Sequence, residues 1–169
     1  MASDDFEYKK STQWSKEIAV TNIKRYCAIQ DRSHFEVRTK LLSHQVYGQH
    51  LEDIMADLVT EGFLDEERFA KSYARGKFRM KRWGRIKILN GLKNHRISTY
   101  CIREGLREIG DEEYFDTALN VVKSRIKNDR NILQNPQEKQ KLIQFIFGKG
   151  YEYEIIEKVI QSLLSDGDQ

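Results

Sequence analysis

The chain has 169 residues, enough for one ordinary domain or a short array of repeats, and its 39% hydrophobic and 33% charged content suits thin helical layers better than a thick core. One proline and ten glycines argue against a turn-rich all-β protein, and no apolar run approaches the roughly 20 residues of a membrane span. The formal net charge of +3 hides an asymmetry: twelve of the 29 Lys and Arg residues lie between Arg68 and Arg103 with no acid among them, so the remainder holds 17 bases against 26 acids.

In chain order, residues 1–15 form a polar tail; MASDDFEYKKSTQW opens polar and acidic, unlike a secretory leader, and a cytoplasmic protein is expected. A first three-helix repeat is expected over 16–63. The spacing predicts a helix over Lys16 to Gln30 with Ile18, Ala19, Ile23 and Cys27 facing inward. Ser33 followed by Glu36 is a capping-box signal. Leu41, Val46 and Leu51 step across a turn, and Leu51, Ile54, Met55 and Leu58 share a helical face.

A second repeat, strongly basic, is expected over 64–110. Asp65 is placed to cap its first helix, and Glu66 and Glu67 complement the positive end of the helix dipole. Trp83-Gly84 ends that helix, and Ser98 is placed to cap a later one. A third repeat is expected over 111–165, with Tyr114, Phe115, Ala118, Leu119 and Val122 on its opening helix. A longer polar link, IKNDRNILQNP, follows, and its range Lys127 to Asn135 is the most plausible hinge on length and polarity. Asn135, Pro136 and Glu138 then restart a helix, and Gly148 and Gly150 mark a turn. Residues 166–169 form a short tail.

The three stretches are copies of one pattern. Shifting Leu41, Val46, Leu51, Ile54, Met55 and Leu58 by 51 gives Leu92, Ile97, Ile102, Gly105, Leu106 and Ile109. A further 54 gives Ile146, Tyr151, Ile156, Val159, Ile160 and Leu163, and only Gly105 breaks the apolar columns. The fold class that follows is all-α: three tandem three-helix repeats, packed in series as an elongated, curved molecule.

No catalytic constellation is present, so no enzyme is expected, with neither cofactor nor metal. His34, His44, His50 and His95 are not at zinc-ligand spacings, and His44 and His95 are repeat equivalents. Cys27 and Cys101 lack a CxxC partner and read as buried thiols. Gly148-Lys149-Gly150 lacks the flanking residues of a phosphate loop, and there is no GxSxG or GxGxxG. Glu52 and Asp53 fall between apolar repeat positions, where a solvated face is expected.

The basic middle needs its own explanation. Arg68, Arg75, Arg79 and Arg82 follow steps of 7, 4 and 3, with Lys71 in the same stripe, and Lys77, Lys81 and Arg85 continue on an adjacent face. Glutamates that would normally salt such a surface are missing, and like charges four apart destabilise a helix by a few tenths of a kcal/mol each. A nucleic-acid backbone or an acidic protein surface could each use this face.

The run GFLDEERFAKSYARGKFRMKRWGRIKILNGLKNHRIS closely resembles the central region of RecX proteins, regulators of the RecA recombinase. Gly62 to Ala70 carries the Gly-aromatic-Leu-Asp-acid-Glu-Arg-Phe-Ala pattern; Gly84, Lys87 and Ile88 carry Gly-x-x-basic-Ile. Lys40-Leu41 and Lys141-Leu142 repeat the family's Lys-Leu core, and the likeness covers about residues 17 to 165. The family often has Lys-Gly at the first two repeat turns, where this chain has His44-Gln45 and His95-Arg96; looser caps are expected there. The resemblance implies three tandem three-helix repeats and a protein that binds RecA and lies in the groove of the RecA–DNA filament; a monomer is expected. It implies inhibition of ATPase, strand-exchange and coprotease activities, with at most weak contact to single- or double-stranded DNA and none to membranes. The residues expected to meet the filament or DNA are Arg68, Lys71, Arg75, Lys77, Arg79, Lys81, Arg82, Arg85, Lys87, Lys93 and Arg96. A direct DNA-binding helical module is the alternative, and a purely structural adaptor ranks last because it leaves the missing acids unexplained.

Overall fold

Ten helices and no strand occur among the described residues of the computed structural model, which are 13–127, 129 and 131–165. The expected tails fall outside them except for residues 13–15. The chain divides into two units, Met1–Asp65 and Glu66–Gln169.

The first unit holds α1 (Lys16–Ile29), α2 (His34–Ser43) and α3 (Gly48–Thr60). Ser15 caps α1 by accepting a hydrogen bond from the Ile18 amide, and Ser33 with Glu36 forms the complete capping box of α2. Ala19, Ile23, Val37, Leu41, Leu51, Ile54 and Leu58 fill the core of this unit. Ile18, expected to face inward, is half-exposed. Its equivalent in the next triplet, Phe69, is buried, so the repeat preserves position but not burial here. Trp14 stacks on His44 with ring centroids 3.6 Å apart and planes 7° from parallel, which accounts for that histidine structurally.

The second unit holds two triplets around one continuous core that runs from Phe69 to Leu163. The first comprises α4 (Glu66–Lys81), α5 (Arg85–Asn94) and α6 (Thr99–Arg107). The second comprises α7 (Asp111–Ile126), α9 (Pro136–Gly148) and α10 (Tyr153–Ser165). The link read as a polar hinge contains a further single turn, α8 (Asn131–Gln134), whose Leu133 is buried in the core. A four-residue helix has no periodicity to betray it. Asn135 caps α9 through the amides of Gln137 and Glu138, with Pro136 in the first turn.

The caps are not looser where the turn glycine is missing. Gln45 (φ 61°) and Arg96 (φ 58°) adopt the left-handed conformation that Gly150 (φ 94°) adopts in the last triplet. Val46 still bonds back to Leu41, and Ile97 to Leu92, at 3.1 and 3.2 Å. The turns therefore close fully, and the missing glycine costs about 1 kcal/mol of backbone strain at each site.

Gly105, the one break in the apolar columns, has a packing reason. It is buried where α6 crosses α4, and a Cβ there would lie 2.8 Å from the Ala70 carbonyl oxygen. Gly84 and Gly150 allow a second close approach. The amides of Gly84 and Ile86 donate to the carbonyls of Lys149 and Gly150 at 2.9 and 3.0 Å, satisfying the exposed start of α5.

Candidate functional site

The basic middle occupies α4, the corner after it, and α5. Helix α4 begins directly after Asp65, with Glu66 and Glu67 in its first turn. Glu66 does more than complement the dipole: its carboxylate accepts from the amide and hydroxyl of Ser98, each at 2.9 Å, and Ser98 in turn caps α6. Glu66 thus ties together the starts of two helices.

On α4 the cations at four-residue intervals each meet one carboxylate. Lys71 bonds Glu67 at 2.6 Å, Arg75 bonds Glu108 at 3.0 Å, and Arg79 lies 3.7 Å from Glu113. The bond to Glu67 raises the Lys71 pKa above the ordinary lysine value, with Glu108 and Glu104 adding to the effect. Acids absent from the run along the chain are therefore supplied from α4's own first turn, the end of α6 and the start of α7. Arg68 is exposed on the same helix.

The corner that follows is held from behind. Helix α4 ends at Lys81, so Arg82 and Arg85 do not continue its stripes as the spacing suggested. Arg82 is left-handed (φ 52°), and the Tyr151 hydroxyl donates to its carbonyl at 3.1 Å. Buried Tyr114 accepts from the Arg85 amide at 3.0 Å and donates to Glu152 at 2.5 Å. The two tyrosine rings stack 5.1 Å apart. Burial and the bond to Glu152 push the Tyr114 phenol far above its usual range, and burial pushes Tyr151 up to about 12.

Of the remaining expected contacts, Arg85 is bolted inward: its guanidinium lies 4.3 Å from the Tyr114 ring centroid and bonds the Ile109 carbonyl and Asp111 at 2.8 and 2.7 Å. Lys77 and Lys87 flank Trp83 at 5.1 and 4.9 Å, and Lys87 also donates to the Gly148 carbonyl. Lys81 and Lys93 are exposed, as is Arg96 in its turn. Arg79, Arg82, Phe78, Glu113, Thr117 and Asn120 line a cleft of about 190 Å³ between α4 and α7. A wider groove of about 570 Å³ has a floor that includes Leu89, Ile102 and Leu106, with Arg103 and Arg107 at its rim. The structure thus gathers Lys71, Arg75, Arg79 and Arg82 on one side and Lys77 and Lys87 around an indole. Glu108 and Glu113 escaped the sequence reading because they sit more than thirty residues beyond their partners.

Among the described residues no group of His, Cys, Asp and Glu side chains could hold a metal, and no helix is long and apolar enough to cross a membrane. Cys27 and Cys101 are buried free thiols whose pKa values burial raises.

Comparison with known proteins agrees with this architecture. Residues 65–106 match the family model for the second three-helix domain of RecX, and residues 111–160 match that for the third. A "Regulatory protein RecX" of Lactobacillus gasseri is 26% identical over 100% of this chain and 62% of its own length. One of Clostridium tetani is 34% identical over 78% of this chain and 61% of its own length. A third, from Lactococcus lactis subsp. cremoris, is 26% identical over 85% of this chain and 54% of its own length, so the chain spans between about half and two thirds of these relatives. The crystal structure of RecX from Lactobacillus salivarius superposes with a TM-score of 0.73 at 21% identity, over 88% of this chain and 96% of that one. With two successive domain models matched in order, over the same helices that carry the repeat, the chain belongs to the RecX family.

Proposed function

We propose that this chain is a non-catalytic, cytoplasmic regulator that binds RecA and the RecA–DNA filament and lowers ATPase, strand-exchange and coprotease activity. The observation that carries the reading is membership of a family whose relatives are named regulatory proteins. The contact face is proposed to lie on α4 and the corner after it, with Arg75, Arg79, Lys81 and Arg82 at its centre. Support for that placement comes from the concentration of cations there and from the two tyrosines that fix the corner, so little conformational freedom is lost on binding. The monomer acts without cofactor or metal in this account.

Changing Arg75, Arg79, Lys81 and Arg82 together to Glu tests the placement. Inhibition of RecA ATPase and strand exchange should disappear while the far-ultraviolet helical signal stays. Undiminished inhibition by a folded variant would contradict it. A second reading, a helical module that binds DNA directly, is favoured by the acid-free run of twelve cations. Against it stand the carboxylates already paired with Lys71, Arg75 and Arg79.

A further inference from the structure

We propose that Glu108 and Glu113 are selectivity residues: by holding Arg75 and Arg79 in internal pairs, they keep naked single-stranded DNA from competing for the basic face. The inference rests on the reading that this face is the contact surface, and adds what the face rejects.

The pairs are not needed to hold the helices together. Arg75 and Glu108 are 46% and 27% exposed, and Arg79 and Glu113 are 61% and 49% exposed. Ion pairs at such exposure contribute little to stability. Helix α4 is anchored instead by Phe69, Ala70, Ala74 and Phe78, all buried. Nor does helix electrostatics account for Glu108. It is the C-cap residue of α6, at the negative end of the dipole, where a cation is favoured. Its carboxylate nevertheless lies 3.0 Å from Arg75. Glu113 suits the first turn of α7, yet it also reaches across to Arg79 and lines the cleft with Arg79 and Arg82.

What the pairs do change is the field the face presents. A flexible polyanion gains affinity from each cation that displaces counterions from its phosphates, and single strands show a salt slope of about 0.7 for each such contact. Two arginines occupied by carboxylates must exchange one anion for another and contribute little of this gain. A structured partner meets the same exchange at Arg75 and Arg79, but offsets it with matched contacts to the rest of the face, exposed Lys81 and Arg82 among them. The arrangement therefore costs more to a ligand whose only asset is its charge density than to one with a matched surface.

The test is fluorescence anisotropy of a short labelled single-stranded DNA across a salt series, with wild-type chain, Glu108→Gln/Glu113→Gln, and the same pair combined with Arg75→Gln/Arg79→Gln. The double glutamine variant should bind about tenfold or more tightly at low salt, with a salt slope steeper by about 1.4, and the fourfold variant should lose that gain. Binding no tighter than wild type, or a gain that survives loss of both arginines, would overturn the inference. Glu108→Gln alone gives about half the change in slope and guards against a folding artefact in the double variant. The contact-face reading fails by a different result, retained RecA inhibition in the four-residue reversal, so the two outcomes are separable.

Discussion

At Gly105 the Ala70 backbone of α4 comes so close that a side chain has no room. In the repeat this glycine is a defect in an otherwise apolar column; in the structure it is the point where α6 touches the Ala70 backbone of α4. The repeat revealed the position, but only the crossing reveals the reason, because the contacting residue lies on another helix. Gly105→Ala should destabilise the protein by about 1–3 kcal/mol in denaturant melts, since the obstructing atom is backbone and cannot rotate away. Tyr114 was legible only as a core residue, and its hydroxyl partners were not. Tyr114→Phe leaves the Arg85 amide and Glu152 without their shared partner and should cost about 1–3 kcal/mol. The same phenols predict an alkaline transition. Both tyrosines have folded pKa values above the unfolded value of roughly 10, so the neutral form is favoured in the folded state. Their contribution is complete below pH ~10 and is lost as pH rises towards 12. Phenolate absorbance should therefore rise in two stages, the second coinciding with loss of the helical signal; one stage completed while the helices persist would contradict this.

At the scale of elements, the sequence was most legible where burial imposes the 3, 4, 7 spacing. Columns such as Leu51, Ile54, Met55 and Leu58 are buried together on α3. It was least legible at ends and corners. The cation stripe of α4 runs on to Arg82 in the sequence because charge alone does not mark a helix end, whereas the chain turns left-handed there. The link after α7 reads as wholly polar because one buried leucine is a weak signal among polar residues. Turns carry a prediction of their own. Gln45 holds a glycine-like conformation, and its side chain is exposed. Gln45→Gly should raise stability by about 1 kcal/mol without changing the helical signal. A loss of stability would show that the left-handed turn is not strained as described.

For the molecule as a whole, the charge asymmetry of the sequence survived into the structure in altered form. Twelve acid-free cations do lie together in the chain, but folding returns carboxylates to several of them, including Lys71, Arg75, Arg79 and Arg85. The residues that give the family likeness serve two purposes. Gly84, Lys87 and Gly150 join two triplets of the second unit, while Arg68 and Lys71 belong to the basic helix. Likeness of sequence does not by itself separate internal joints from exposed cations; hydrogen bonds mark Arg85 as a joint, and Lys81 is exposed. The central claim is that this face serves a RecA filament and not DNA alone. Its most direct test is a titration of labelled single-stranded DNA with the chain, in the presence and absence of RecA, at two salt concentrations. The account predicts weak, salt-sensitive binding to the naked strand and much tighter binding once RecA coats it; equally tight binding without RecA, collapsing at the higher salt, would contradict it.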